Sequence, residues 1–304
     1  MYKNTNIKPY LAAIFFTVIT GFSFLSIKAC QPYADQLQLL THRYNFAFIA
    51  VVIVWFTGIF KSAIKDGSAK GKSKKMLLVA SISYIMFMML QIVGIFYTTS
   101  VVGSIIFAVT PILVQIIASV FLKEKGTCKQ NFFVVLTVVA LVYMVISGAT
   151  SLEFNWFGVI CIVLSSFSMA ISNTAMRYVR IDYRPFDITM CICTIGFVLF
   201  NIVTIILGIK NGTLDQYLKP LKHPTFVFGT AYLGIGCILL SSQLISYMLS
   251  RLPAVNATIF GNVGTAISIV AGIVILDEPF YMYHLVCTIL IIIGAIGVSR
   301  NGHK

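Results

Sequence analysis

Ten stretches of mostly apolar residues, each near the length needed to cross a bilayer, occupy most of this 304-residue chain. A membrane-spanning helix needs about 20 predominantly apolar residues. Such stretches run at 10–28, 44–60, 76–97, 100–122, 131–149, 156–178, 187–209, 226–249, 254–276 and 281–299. The second is the weakest, because it opens on the polar cluster His42-Arg43-Tyr44-Asn45 and its apolar part is short. Hydrophobic residues make up 59% of the chain and charged residues 10%, far from the balance of an average soluble domain. The expected class is therefore all-α and integral to the membrane, with soluble segments confined to loops and tails. The first stretch is expected to stay in the mature chain, since no clear small-residue cleavage site follows it.

The stretches fall into two runs of five, residues 1–149 and 150–304. Five is odd, so the second run enters the membrane in the opposite sense to the first, an inverted duplication of the kind used by secondary transporters. With the N-terminus in the cytoplasm, all 22 Lys and Arg residues except Lys28, Arg43, Lys210, Lys219 and Lys222 fall inside. That asymmetry satisfies the positive-inside rule and places both termini on the cytoplasmic side of the cell membrane. The run from Lys70 to Lys75 then anchors topology and meets anionic lipid. A net charge of +13 needs no nucleic-acid partner on this reading.

The halves can be aligned directly. Residues 100–125 read SVVGSIIFAVTPILVQIIASVFLKEK, and residues 254–279 read AVNATIFGNVGTAISIVAGIVILDEP. Superposed, Leu122-Lys123-Glu124 falls on Leu276-Asp277-Glu278, and Pro111 on Thr265. Tyr97 and Tyr247 each close the preceding span, and Phe22-Ser23 matches Phe167-Ser168. A span with a Thr-Pro break that ends in Leu-x-Glu, repeated in both halves of a ten-span chain, resembles the EamA-type drug/metabolite transporters. The resemblance covers nearly the whole chain, although the second half lacks the proline and has Gly261 and Gly264 nearby instead. It implies a monomer-sized basket, with a homodimer left open. Spans one to four and six to nine would surround a central cavity open to one side at a time, with spans five and ten packed outside. An exporter or exchanger of amino acids or related metabolites, working by alternating access, is the best single expectation. A lipid-linked flippase and a non-transporting membrane partner are the rivals.

Pro111 falls near the middle of span four, where its missing N–H frees a backbone carbonyl and kinks the helix. Within hydrocarbon such groups are tolerated only against protein or a water-filled cavity, so the kink marks either a cavity or a break repaired by a neighbour such as Thr110. In span nine, Gly261 and Gly264 lie among small residues at helical spacing that permit close approach and sliding. Pro111, Gly261 and Gly264 are the candidate hinges.

Candidate substrate contacts are uncharged polar residues within the spans. Gln91 and Gln243 stand at comparable positions in the two halves, and an amide in lipid needs partners, whether substrate or another helix. Ser23, Thr110, Ser168, Asn173, Tyr247, Asn256 and Asn262 join them. All nine carboxylates fall in loops or at span ends, which points to facilitated diffusion or exchange rather than coupling through a buried acid. Lys28 and Arg43 sit near the outer ends of spans one and two, where basic side chains commonly snorkel to headgroups, the other role being to meet a substrate anion. The seven cysteines have no metal or redox spacing and read as small apolar filler. No HExxH, no paired acids at depth and no phosphate loop appear, so neither enzyme, metal nor cofactor is expected. The expected partners are a small-molecule substrate and membrane lipids.

Overall fold

The computed structural model describes residues 7–58, 72–121, 127–148, 155–252 and 254–301, and these are helical with no strand. Two short helices, α1 (Ile7–Gly21) and α2 (Ser23–Cys30), form one rod interrupted at Phe22. They are followed by α3 (Gln36–Thr57), α4 (Lys72–Tyr97), α5 (Ser100–Phe107), α6 (Thr110–Phe121) and α7 (Cys128–Gly148). The second half holds α8 (Trp156–Val179), α9 (Pro185–Asn211), α10 (Pro224–Ala231), α11 (Ser241–Leu249), α12 (Ala254–Leu276) and α13 (Met282–Asn301). A π-helix at Tyr232–Leu240 joins α10 to α11 in one continuous rod.

Among the described residues, seven helical segments are long and apolar enough to cross a membrane. Their outward faces fit only a lipid solvent. In the most apolar window of Pro185–Asn211 just 22% of residues are buried, and Ile202, Ile205, Ile206 and Ile209 stand exposed. A contiguous apolar face of that kind has no stable place in water. The chain is therefore a multi-pass membrane protein.

The second span starts earlier than its apolar residues suggest. Helix α3 begins at Gln36, capped by the Asp35 carboxylate, which accepts from the Gln38 N–H at 2.7 Å. The polar cluster that made this stretch look weak is inside the helix, with His42, Arg43 and Tyr44 buried and Asn45 half-buried. Its partners are distant in sequence: His42 Nε2 donates to the Tyr217 carbonyl at 2.8 Å, and Asn45 Nδ2 to the Tyr217 hydroxyl at 2.8 Å. Asn201 then donates to Asn45 Oδ1 at 2.7 Å and accepts from Tyr217 at 2.6 Å. Buried polar groups are tolerated when they are paired in this way.

Packing places α4 against α8, α1 against α12, α3 against α9 and α7 against α13. The closest approaches need glycine. Gly94 of α4 and Gly158 of α8 face each other, and a Cβ on either would lie 3.0–3.1 Å from the other's carbonyl oxygen. At Gly234, in the π-helix, a Cβ would lie 2.4 Å from the Arg43 carbonyl oxygen and 3.0 Å from the Ala47 nitrogen. Both obstacles are backbone atoms of α3, which cannot rotate aside. Replacing Gly234 by Ala is expected to destabilise the protein by about 1–3 kcal/mol, the usual cost of forced overpacking. A thermal melt in detergent that matched wild type would refute this tight seat.

Candidate functional site

The helix interruptions converge on the centre of the bundle. At the first, α5 ends at Phe107 and α6 starts at Thr110, with Pro111 in its opening turn. Pro111 has no N–H to offer Phe107 four residues back, and the Thr110 hydroxyl donates to that carbonyl instead at 2.6 Å. At the second, between α1 and α2, the Ser23 hydroxyl donates to Thr20 O at 2.7 Å, and Ser268 of α12 donates to Gly21 O. The third is the π-helix. Its carbonyls accept from outside their own ladder: Leu233 O from Arg43 Nε at 3.2 Å, and Cys237 O from Tyr84 at 3.3 Å. π-Helices of this kind concentrate at functional sites.

Between these interruptions lies a central cavity whose empty volume, its open mouth included, is about 560 Å³, lined by α1, α2, α3, α4, α5, α8, α11, α12 and the π-helix. Ser23, Gln91, Gly261 and Gly264 line it, together with Arg43, Tyr84 and Ser241. A smaller chamber of about 310 Å³ adjoins it and holds Thr110, Pro111 and Asn173. Phe16, Phe107, Met169, Ile245 and Gly261 border both and form an apolar neck between them. Asn173 is 1% exposed and its Oδ1 has no partner.

The other sequence candidates lie elsewhere. Gln243 and Tyr247 line a separate crevice of about 1050 Å³ empty volume between α1, α9 and α11, which shares no residue with the central cavity. Arg251 stacks over the Tyr247 ring there at 5.9 Å. Ser168 is half-buried and borders neither space. The side chains of Asn256 and Asn262 lie outside the described residues, as does the whole of Leu122-Lys123-Glu124. Helix α12 runs unbroken through Gly261 and Gly264, because glycine, unlike proline, keeps its N–H. Arg43 departs furthest from the sequence expectation. It does not reach headgroups, being 1% exposed and set into the cavity wall. The signal for it was the polar cluster itself, since four polar or aromatic residues in a spanning helix must face protein.

Glu278 ties the two halves together. Asp277 takes a left-handed φ of 52° after α12, and the Glu278 N–H returns to Gly272 O at 3.2 Å. This turn delivers the Glu278 carboxylate to the start of α5. There it accepts from Ser100 N at 2.8 Å, Val101 N at 2.9 Å and Ser100 Oγ at 2.7 Å. Thr99 Oγ1 accepts from Val102 N at 3.1 Å, so the first three helical N–H groups are all satisfied. A carboxylate also suits the positive end of the helix dipole.

An all-helical bundle with a central cavity and cross-capped broken helices is the architecture of a membrane transporter. The EamA-like transporter family model matches the chain twice, over residues 7–146 and 156–300. The chain belongs to that family. It is 32% identical to the "Uncharacterized transporter YcxC" of Bacillus subtilis (strain 168), covering 100% of this chain and 96% of that one. It is 25% identical to "GDP-fucose transporter 1" of Dictyostelium discoideum over 61% of this chain and 50% of that one. A crystal structure described only as that of a protein superposes with a TM-score of 0.67 at 10% identity, over 97% of both chains. That last likeness concerns the fold alone.

Removing the Glu278 cap by Ala is expected to lower stability by about 1–2 kcal/mol, in the range of lost helix caps. Glu278→Gln, which keeps an acceptor oxygen, should lose less. Equal thermal midpoints for wild type and Glu278→Ala would show that the cap contributes nothing.

Proposed function

We propose that the protein is a secondary transporter of small metabolites, amino acids or related compounds, acting as an exporter or exchanger in the cell membrane. Substrate enters the central cavity and crosses by alternating access, and Gln91 and Ser23 supply its polar contacts there. Asn173 and Thr110 take it up beyond the neck. The observation that carries this reading is the pair of chambers meeting at an apolar neck beside the Pro111 break.

The same reading assigns ten spans in two inverted halves, residues 1–149 and 150–304, with both termini cytoplasmic. The family model's two matches divide the chain at that boundary. Packing supports it too. Exchange of halves pairs α1–α2 with α8, α3 with α9, α4 with the α10–α11 rod, α5–α6 with α12, and α7 with α13. Contact of α6 with α8 then maps onto contact of α12 with α1, and contact of α4 with α9 onto contact of the π-helix and α10 with α3. The α3–α9, α5–α12 and α7–α13 contacts map onto themselves. Helices α7 and α13, which pack on each other, are the outer pair of the basket. As no carboxylate lines either chamber among the described residues, transport proceeds by facilitated diffusion or exchange.

Screening thermal stability against amino acids, nucleosides, vitamins and organic cations tests the reading, since a ligand of the folded state raises the midpoint. The shift given by the best ligand is expected to vanish in Gln91→Ala and to persist in Gln243→Ala, whose side chain faces the separate crevice. Loss in Gln243→Ala alone would move the substrate to that crevice and favour a lipid-linked flippase. In proteoliposomes, Pro111→Ala is expected to slow transport more than it lowers yield. Unchanged rates would remove the break from the mechanism.

A further inference from the structure

Among the described residues, Arg43 is the one basic or acidic side chain in the wall of the central cavity. It stands seven residues into α3, about 10 Å along the axis from the helix start at 1.5 Å per residue. Its Nε has one acceptor, the Leu233 carbonyl at 3.2 Å, and its Nη1 has none. Two carboxylates at that end of the bundle are already engaged: Asp35 caps α3, and Glu278 caps α5. A guanidinium 99% removed from solvent with a single neutral acceptor is costly to bury unless an anion completes it.

The surroundings define what that anion carries with it. Phe16, Phe24, Phe87 and Phe107 line the same cavity, and their rings offer an apolar surface. Tyr84 and Ser241 both spend their hydroxyl hydrogens on Cys237 O, at 3.3 and 2.6 Å, and so present oxygen lone pairs to the cavity. An ammonium group would therefore meet neutral acceptors only, with a fixed cation nearby.

The geometry points to an organic anion as the substrate: a carboxylate or phosphate oxygen pairs with Arg43, and the phenyl rings hold the apolar body. This rests on the transporter reading and narrows its substrate class. Amino acids are then held through their carboxylate, and organic cations are rejected by Arg43.

The test uses the purified full-length chain in detergent with four probes that share one ring: benzoate, phenyl phosphate, benzamide and benzylamine, at equal ionic strength. At least one of the two anions is expected to raise the unfolding midpoint by about 2 °C or more, as binding to the folded state requires, while benzamide and benzylamine do not. The anion that acts distinguishes carboxylate from phosphate recognition. The rise should vanish in Arg43→Gln, return in Arg43→Lys, and persist in Arg251→Gln, which alters an arginine of the separate crevice. No rise with either anion, or an equal rise in Arg43→Gln, overturns the proposal. Uptake of the effective anion into proteoliposomes separates this from the wider reading. A charge-dependent shift without flux keeps the anion site and refutes transport, whereas flux of other solutes without any anion-dependent shift refutes the anion site alone.

Discussion

In hydrocarbon every backbone N–H and C=O must find its partner inside the protein, and the interior of this molecule is organised by that requirement. Each place where a helix departs from its own ladder faces another helix that supplies the missing group. Thr110 serves Phe107, Ser268 serves Gly21, Arg43 serves Leu233, and Glu278 serves Ser100 and Val101. The repairs that come from a distant helix, those by Ser268, Arg43 and Glu278, have no counterpart on the lipid-facing side, where no donor or acceptor is available. Interrupted helices are thus confined to the centre, and the imperfect packing around them is the cavity. Breaks, polar lining and empty volume share one physical cause.

The two halves solve the same problem with different chemistry. The first uses proline to divide α5 from α6, while the corresponding helix α12 is continuous and its glycines serve close approach: a Cβ on Gly264 would lie 2.9 Å from Thr20 Oγ1. The irregularity in the second half sits one span earlier, in the π-helix of Tyr232–Leu240. On the inverted-repeat reading proposed above, two related halves do not require matching breaks. The irregular points lie at Pro111, beside the smaller chamber, and at the π-helix, whose Cys237 lines the central cavity, while α12 is straight.

Much of this was legible in the sequence because a bilayer imposes a length on every apolar run. The helices lie within a few residues of the apolar stretches except at α3. There the apolar stretch starts at Tyr44 and leaves out His42 and Arg43, whose partners, Tyr217 and Leu233, lie more than 170 residues away. Long-range pairing of this kind leaves no local pattern. Gln91 and Gln243, comparable in sequence, line different spaces for a different reason. Ser241 and Ile245 face the cavity, and Gln243, two residues on and about 200° around the helix from Ser241, faces the crevice. The π-helix just before it shifts the facing register, and nothing in the residue types announces a π turn.

A transporter must hold its substrate strongly enough to draw it from water and weakly enough to release it. A bidentate arginine clamp with a fully satisfied pocket would err toward retention. Arg43 offers less: its Nε is committed to the Leu233 carbonyl, leaving Nη1 for a guest. That carbonyl belongs to the π-helix, so movement of the Tyr232–Leu240 segment changes the pose of the guanidinium as well as the shape of the wall. Charge and deformable backbone are thereby joined through one hydrogen bond. On the anion reading, the same shift that reshapes the cavity also loosens the ion pair, and affinity falls at the step where release is needed.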